Sequence, residues 1–248
     1  MNITVRTKDF KTFLNFYRFF SAFYKEYIPY LTVILDGTSN DVEIFKRFQE
    51  MKNFNLKIID NIAKKWGTTS LFEEMLYRSF NFKGKVISFD DDVLFLNYGF
   101  LEMVNKLLEK YSILGHKLKT NDGKIVISSF VMAKNNIDFE KEDFRSIDSN
   151  NRYKRNKEYN AIDTFKIYSK YKKHVHFIDS YINTRRINKH LHNSFITDYY
   201  IHIGGATGQL NKYFTNSVIN NDDSRQQKNK IKISRPTAFQ CVKNIAYL

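Results

Sequence analysis

The stretch Lys85-Val86-Ile87-Ser88-Phe89-Asp90-Asp91-Asp92-Val93-Leu94-Phe95 constrains the fold of this chain more than any other. An apolar run stops at three consecutive carboxylates and then resumes. A strand that is apolar on both faces belongs in the middle of a covered parallel sheet, where three adjacent acids are costly to bury without a counterion. The acids are therefore expected at the edge of the sheet. In open α/β sheets the carboxyl edge is where ligands bind, and clustered carboxylate oxygens suit Mg2+ or Mn2+. The stretch points to a metal and phosphate site.

Upstream of it, strands and helices alternate. Asn2 to Arg6 predicts a first strand, and Thr7-Lys8-Asp9 supplies capping side chains for the helix that follows. From Phe10 the apolar positions Phe13, Leu14, Tyr17, Phe20, Tyr24 and Tyr27 recur at three and four residues, the spacing of a core-facing helix. Leu31 to Leu35 is a second buried strand, delivering Asp36 into a Gly/Ser/Asn turn ahead of a helix over Val42 to Met51, with Asp41 as its N-cap. Asp36 is placed either for a ligand or for capping its own turn. Leu56 to Ile59 is a third strand, a loop over 61–69 carries Trp66 and Gly67, and a helix runs from Ser70 to Phe80. Three short strand-loop-helix units in about ninety residues predict right-handed βαβ winding and a mostly parallel sheet.

Downstream, Tyr98 to Tyr111 has helical spacing, and Ile113 to Leu118 and Ile125 to Val131 predict a hairpin about Asn121-Asp122-Gly123. Residues 135–160 are polar and read as a long loose loop. A helix from Ala161 to Tyr171 and a strand from His174 to Ile178 follow, and His190, His192 and His202 come late. The division expected is a core over 1–180 with a C-terminal extension over 181–248 packed on it, in one domain.

Composition narrows the class. A hydrophobic fraction of 42% with 16% aromatic residues argues against a disordered chain, and no stretch reaches the roughly 20 apolar residues of a membrane span. The N-terminus lacks a basic segment followed by an apolar one, so a cytoplasmic location is expected, compatible with peripheral membrane contact. The single cysteine, Cys241, excludes an internal disulfide and a cysteine-based zinc site. A net charge of +14 attracts phosphates, nucleic acid or an anionic membrane surface. The bias toward Lys, Asn, Ile, Phe and Tyr, with only two prolines, is equally what an AT-rich coding sequence produces.

In their order and spacing these features resemble a GT-A fold glycosyltransferase of the family 2 type, over roughly residues 2 to 180. The features concerned are the first strand and long helix, the Leu31 to Asp41 segment, the Trp66-Gly67-Thr68-Thr69-Ser70 loop opening a helix, and Phe89-Asp90-Asp91-Asp92. The resemblance implies an α/β, GT-A (Rossmann-like) fold, with a mostly parallel central sheet flanked by helices and a less regular C-terminal segment. It implies that Asp36, Trp66 and Gly67 contact the nucleotide-sugar. Asp90 and Asp92 become the Asp-x-Asp pair, the last acid ligating the metal on the donor diphosphate and the first contacting sugar or ribose. Asp90 is also a candidate metal ligand, and Asp91, the middle residue, belongs to the same donor pocket.

Many such enzymes complete the metal shell with a late histidine, a role for which the resemblance makes His192 and His202 the candidates here. Asp163, in Ile162-Asp163-Thr164-Phe165, occupies the place of the base that deprotonates the acceptor; Glu158 competes for that role, and a plain helix-terminal acid is the other reading of Asp163. The implied activity is Mn2+- or Mg2+-dependent transfer, with inversion, from a nucleotide-diphosphate sugar, a UDP-sugar foremost, to a cell-envelope or lipid-linked glycan. Transfer to hydroxylated bases in DNA is an alternative, and a non-catalytic basic nucleic-acid-binding protein is another from a different class. Nucleotidyl transfer to a sugar phosphate usually needs a Gly-rich loop after the first strand, which Thr7 to Phe13 lacks.

Overall fold

The computed structural model describes residues 1–59, 68–119, 125–144, 164–186 and 194–203. Its strands are β1 (Asn2–Thr7), β2 (Leu31–Asp36), β3 (Asn55–Ile59), β4 (Val86–Asp90), β5 (Val93–Phe95), β6 (Ile113–Lys119), β7 (Ile125–Lys134), β8 (Val175–Phe177), β9 (Thr184–Arg186), β10 (Ser194–Thr197) and β11 (Tyr200–Ile203). Its α-helices are α1 (Phe10–Tyr24), α2 (Val42–Lys52), α3 (Thr68–Phe80), α4 (Phe100–Leu107) and α5 (Phe165–Tyr171).

Seven strands form the main sheet in the order β3-β2-β1-β4-β7-β6-β8. β1 runs parallel to both β2 and β4, β2 to β3, and β6 to β8, so β7 alone opposes the rest. This is the mostly parallel, helix-flanked α/β sheet expected. Its consequence is positional: Thr7, Asp36 and Asp90, the last residues of three adjacent parallel strands, share one edge.

The start of α1 is held by two acids. Asp9 caps α1, accepting from Thr12 N–H at 2.7 Å and Thr12 Oγ1 at 2.6 Å. Asp41 departs from expectation. It stands at the N-cap position of α2 but makes no cap bond there; its carboxylate accepts from Phe10 N–H at 2.9 Å instead, satisfying an orphan donor of the neighbouring helix. The two helix starts are thereby tied together.

The aromatic stripe of α1 is core. Phe13, Phe16, Tyr17, Phe20 and Tyr24 are buried, with Phe16 against Phe89 at 6.1 Å between centroids and Phe20 against Phe95 at 5.6 Å. Ile87 and Phe89 join this cluster while Val86 joins a second one with Leu76, Phe80, Ile127, Met132, Phe139, Phe144 and Ile167. Alternate residues of a strand face opposite sides, so the two clusters cover the two faces of the sheet.

Two expectations are revised, and a second sheet is unforeseen. The start of the supposed loose loop is packed: Phe139 and Phe144 are buried, the latter in a 3-10 turn over Lys141–Phe144. Residues 145–160 lie outside the described residues. The helix after the acids is shorter than its spacing, running from Phe100 after a left-handed Gly99. Most importantly, the chain after the acid triplet becomes β5, which belongs to a second sheet of order β5-β11-β10-β9. Among the described residues no helix is long and apolar enough to cross a membrane.

Candidate metal and donor site

β4 ends at Asp90, and a two-residue turn at Asp91 and Asp92 leads straight into β5. The turn gives each acid its own surroundings. Asp90 lies opposite Arg6 in the β1–β4 register. The Arg6 side chain is almost wholly buried and donates to Ser88 Oγ at 2.5 Å, to the Ser129 carbonyl at 2.6 Å and to Asp90 Oδ1. Asp91 turns inward, its Oδ2 accepting from Thr7 Oγ1 at 2.6 Å. Burial, and then the charge of Asp92, pushes the Asp91 carboxyl well above the usual carboxylate range, against the pull of the Thr7 hydroxyl.

Asp92 meets a residue from the far end of the described chain. β11 pairs antiparallel with β5, His202 opposite Val93, and Ile203 N–H donates to the Asp92 carbonyl at 3.3 Å. This sets His202 Nε2 3.3 Å from Asp92 Oδ1. The imidazole stacks on Phe130, 3.8 Å between centroids and 8° from parallel. One ligand atom from each of Asp90, Asp92 and His202 lies within 4.8 Å of the others.

Asp92 Oδ1 and His202 Nδ1 are buried without a hydrogen-bond partner. Buried polar atoms left in this state are rare and call for an explanation such as an ion, and a divalent cation among these donors satisfies the carboxylate oxygen. Two carboxylates and an imidazole suit Mn2+ or Mg2+ better than a soft metal. The residues fit the cation that the resemblance implies.

The acids lie at the carboxyl edge of the sheet, as expected, yet Asp91 and Asp92 are only 9% and 7% exposed. Arg6 supplies the counterion that the sequence argument found missing, and Thr7 supplies a hydrogen bond. Neither was singled out for the site from sequence, Thr7 being read only as a capping residue; a cation near the end of β1 was the available signal. Phe130, the platform under His202, was likewise unforeseen.

Asp36 is buried at the end of β2, and its Oδ1 accepts from Thr38 N–H at 2.8 Å and Thr38 Oγ1 at 2.6 Å. That oxygen caps its own turn. Trp66, Gly67, Glu158, Asp163, His190 and His192 lie outside the described residues.

β11 is also anchored to the main sheet. Tyr200 Oη is hydrogen-bonded to His116 Nε2, and His116 Nδ1 lies 2.6 Å from Asp179 Oδ1. Burial pushes the Asp179 carboxyl up, but the hydrogen bond from His116, with that from Lys117 N–H, outweighs it and holds the group below its ordinary value.

No family model and no curated relative matches the chain. Among solved structures, it is similar to the nucleoside-diphosphate-sugar pyrophosphorylase from Vibrio cholerae, at 14% identity over 71% of this chain and 91% of that one, with a TM-score of 0.40. Mouse xyloside xylosyltransferase 1 is similar at 11% identity over 54% and 66%, TM-score 0.35. Staphylococcus aureus TarS, residues 1–349, is similar at 14% identity over 59% and 52%, TM-score 0.33.

Proposed function

We propose that the chain is a metal-dependent glycosyltransferase, moving a sugar from a nucleotide-diphosphate donor to an acceptor hydroxyl. The observation that carries this reading is the convergence of Asp90, Asp92 and His202 at the carboxyl edge of a mostly parallel sheet, with buried donor atoms left unsatisfied. Asp92 and His202 hold the cation. Asp90, tied to Arg6, completes the shell or accepts from the sugar or ribose. A bound Mn2+ or Mg2+ supplies positive charge where the departing nucleotide diphosphate gathers negative charge.

Asp36, with Trp66 and Gly67, contacts the nucleotide, and Asp91 supports the pocket through Thr7. Asp163 takes the proton from the attacking hydroxyl, which makes the transfer inverting. The donor proposed is a UDP-sugar and the acceptor a cell-envelope or lipid-linked glycan. Nucleotidyl transfer is disfavoured by the connection between β1 and α1, which holds only Lys8 and the helix-capping Asp9 where a phosphate-cradling Gly-rich loop is needed.

The test is a thermal-shift screen of UDP-, GDP-, CMP- and dTDP-sugars with and without Mn2+. A ligand that binds only the folded chain at 100 times its Kd stabilises it by about 2.7 kcal/mol. The expected result is a Mn2+-dependent rise in Tm with one nucleotide class, lost in Asp92→Asn. The absence of any metal-dependent shift, or a shift that survives Asp92→Asn undiminished, overturns the reading.

A further inference from the structure

His202 reaches Asp92 on a four-residue strand that pairs over three residues with β5 on one side and over three with β10 on the other. Ladders so short specify position weakly, and a slip of one residue would turn every side chain of β11 to the other face. Ile201 or Ile203 would then face Asp92. Side-chain contacts that only the native register allows add to its specification.

Tyr200 and His202 are two residues apart and therefore share a face of β11. Both are buried, at 0% and 3% exposed, whereas Ile201 and Ile203 on the other face are half-buried. The Tyr200 hydroxyl binds His116 Nε2. His116 sits where the β6–β7 register shifts between Gly115 and Lys117, an irregularity of the kind that re-aims a side chain. Its own N–H donates to Ser128 Oγ at 3.0 Å.

Asp179, from the 3-10 turn Ile178–Ser180, fixes the ring: Oδ1 lies 2.6 Å from His116 Nδ1, and Oδ2 accepts from Lys117 N–H at 2.7 Å. With the carboxylate as acceptor, Nδ1 carries the proton and Nε2 accepts from the phenol. A wrong register would leave two of these buried groups unpaired, at a cost the native one avoids.

We propose that the Asp179–His116–Tyr200 chain is a positioning device for the cation site, fixing the register and depth of β11 so that His202 falls on Asp92. The inference rests on the reading of Asp90, Asp92 and His202 as a divalent-cation site. All three members act through another residue, and none touches the cation.

The test is Mn2+ binding by the full chain, with free ion followed by electron paramagnetic resonance, alongside the Tm of each variant. Tyr200→Phe removes one hydroxyl and keeps the ring against Phe100, at 5.0 Å between centroids. It is expected to weaken Mn2+ binding about tenfold, in the range known for residues supporting metal ligands. Ile167→Val, in the cluster on the other face of the sheet, lowers stability without touching the chain and is expected to leave Mn2+ affinity unchanged. Wild-type affinity in Tyr200→Phe overturns the inference and leaves the metal site standing. Equal weakening by Ile167→Val overturns it as well, because affinity then follows stability alone. If the wild-type chain binds no Mn2+, the metal-site reading itself falls, and the positioning role with it.

Discussion

Arg6 and Asp90 face one another across the β1–β4 register as an ion pair of which only the acid meets solvent, with side-chain exposures of 2% and 26%. The same guanidinium also binds Ser88 and the Ser129 carbonyl, joining three adjacent strands beneath the site. Arg6→Met strands these partners, and it is expected to cost about 2–4 kcal/mol in urea unfolding. That is somewhat below the ~3–5 kcal/mol of a fully buried pair because Asp90 keeps access to water. Arg6→Lys keeps the charge but loses the planar fork, and is expected to fall between the two. A loss below about 0.5 kcal/mol for Arg6→Met, the range of ordinary surface substitutions, would show that the pair is not structural.

Glu74 on α3 is buried between Arg78, at 2.7 Å, and Lys141, at 2.5 Å. Burial pushes its carboxyl up, but the hydrogen bonds and charges of the two cations outweigh this and hold it below the ordinary glutamate value. The folded pKa is thus lower than the unfolded one. The stability gained is fully present above the unfolded value of about 4.3 and is lost as pH falls through the folded value. Glu74→Gln is therefore expected to be less stable than wild type at pH 7, with the gap closing below pH ~4 in denaturant unfolding. A gap that widens in acid would reverse the sign and refute the assignment.

Gly115 lies where β6 passes Ile127. A Cβ at this position would meet Ile127 Cγ1 at 2.5 Å, Cδ1 at 2.9 Å and the Val131 carbonyl at 3.3 Å. Gly115→Ala is expected to destabilise by about 1–3 kcal/mol, as overpacking does. Combined with Ile127→Ala, which removes the opposing atoms, it is expected to cost less than the sum of the two single changes. Strict additivity in the double-mutant cycle would place the strain elsewhere.

The parts of this fold legible in the sequence are those whose signal is local. β1, β2, β4, α1 and the β6–β7 pairing announced themselves through apolar runs, helical spacing and a turn sequence. The same holds for the Asp90 and Asp92 pair at the sheet edge. What escaped depends on residues distant in the chain. β5, β9, β10 and β11 are three or four residues long, too short for any periodicity to show. The burial of Asp91 follows from Thr7, and the tolerance of Asp90 from Arg6, both on a strand more than eighty positions earlier. His202 was one of several histidines with nothing local to separate them; only its pairing with β5 did so. Asp36 illustrates the limit from the other side, since its turn-capping bonds were one of two readings and the structure supplies them without deciding the other.

The pairing of β11 with β5 has a kinetic meaning. The donors of the proposed cation site come from positions 90 and 92 and from position 202, on either side of β6, β7 and β8. Contacts of such long range form slowly, because the intervening chain must be ordered or its closure entropy met before they bring any gain. All seven strands of the main sheet are synthesised before His202, and the sheet can assemble without it. On the proposed reading, competence to hold a cation is acquired after the main sheet, so in refolding the uptake of Mn2+ would trail the recovery of secondary structure.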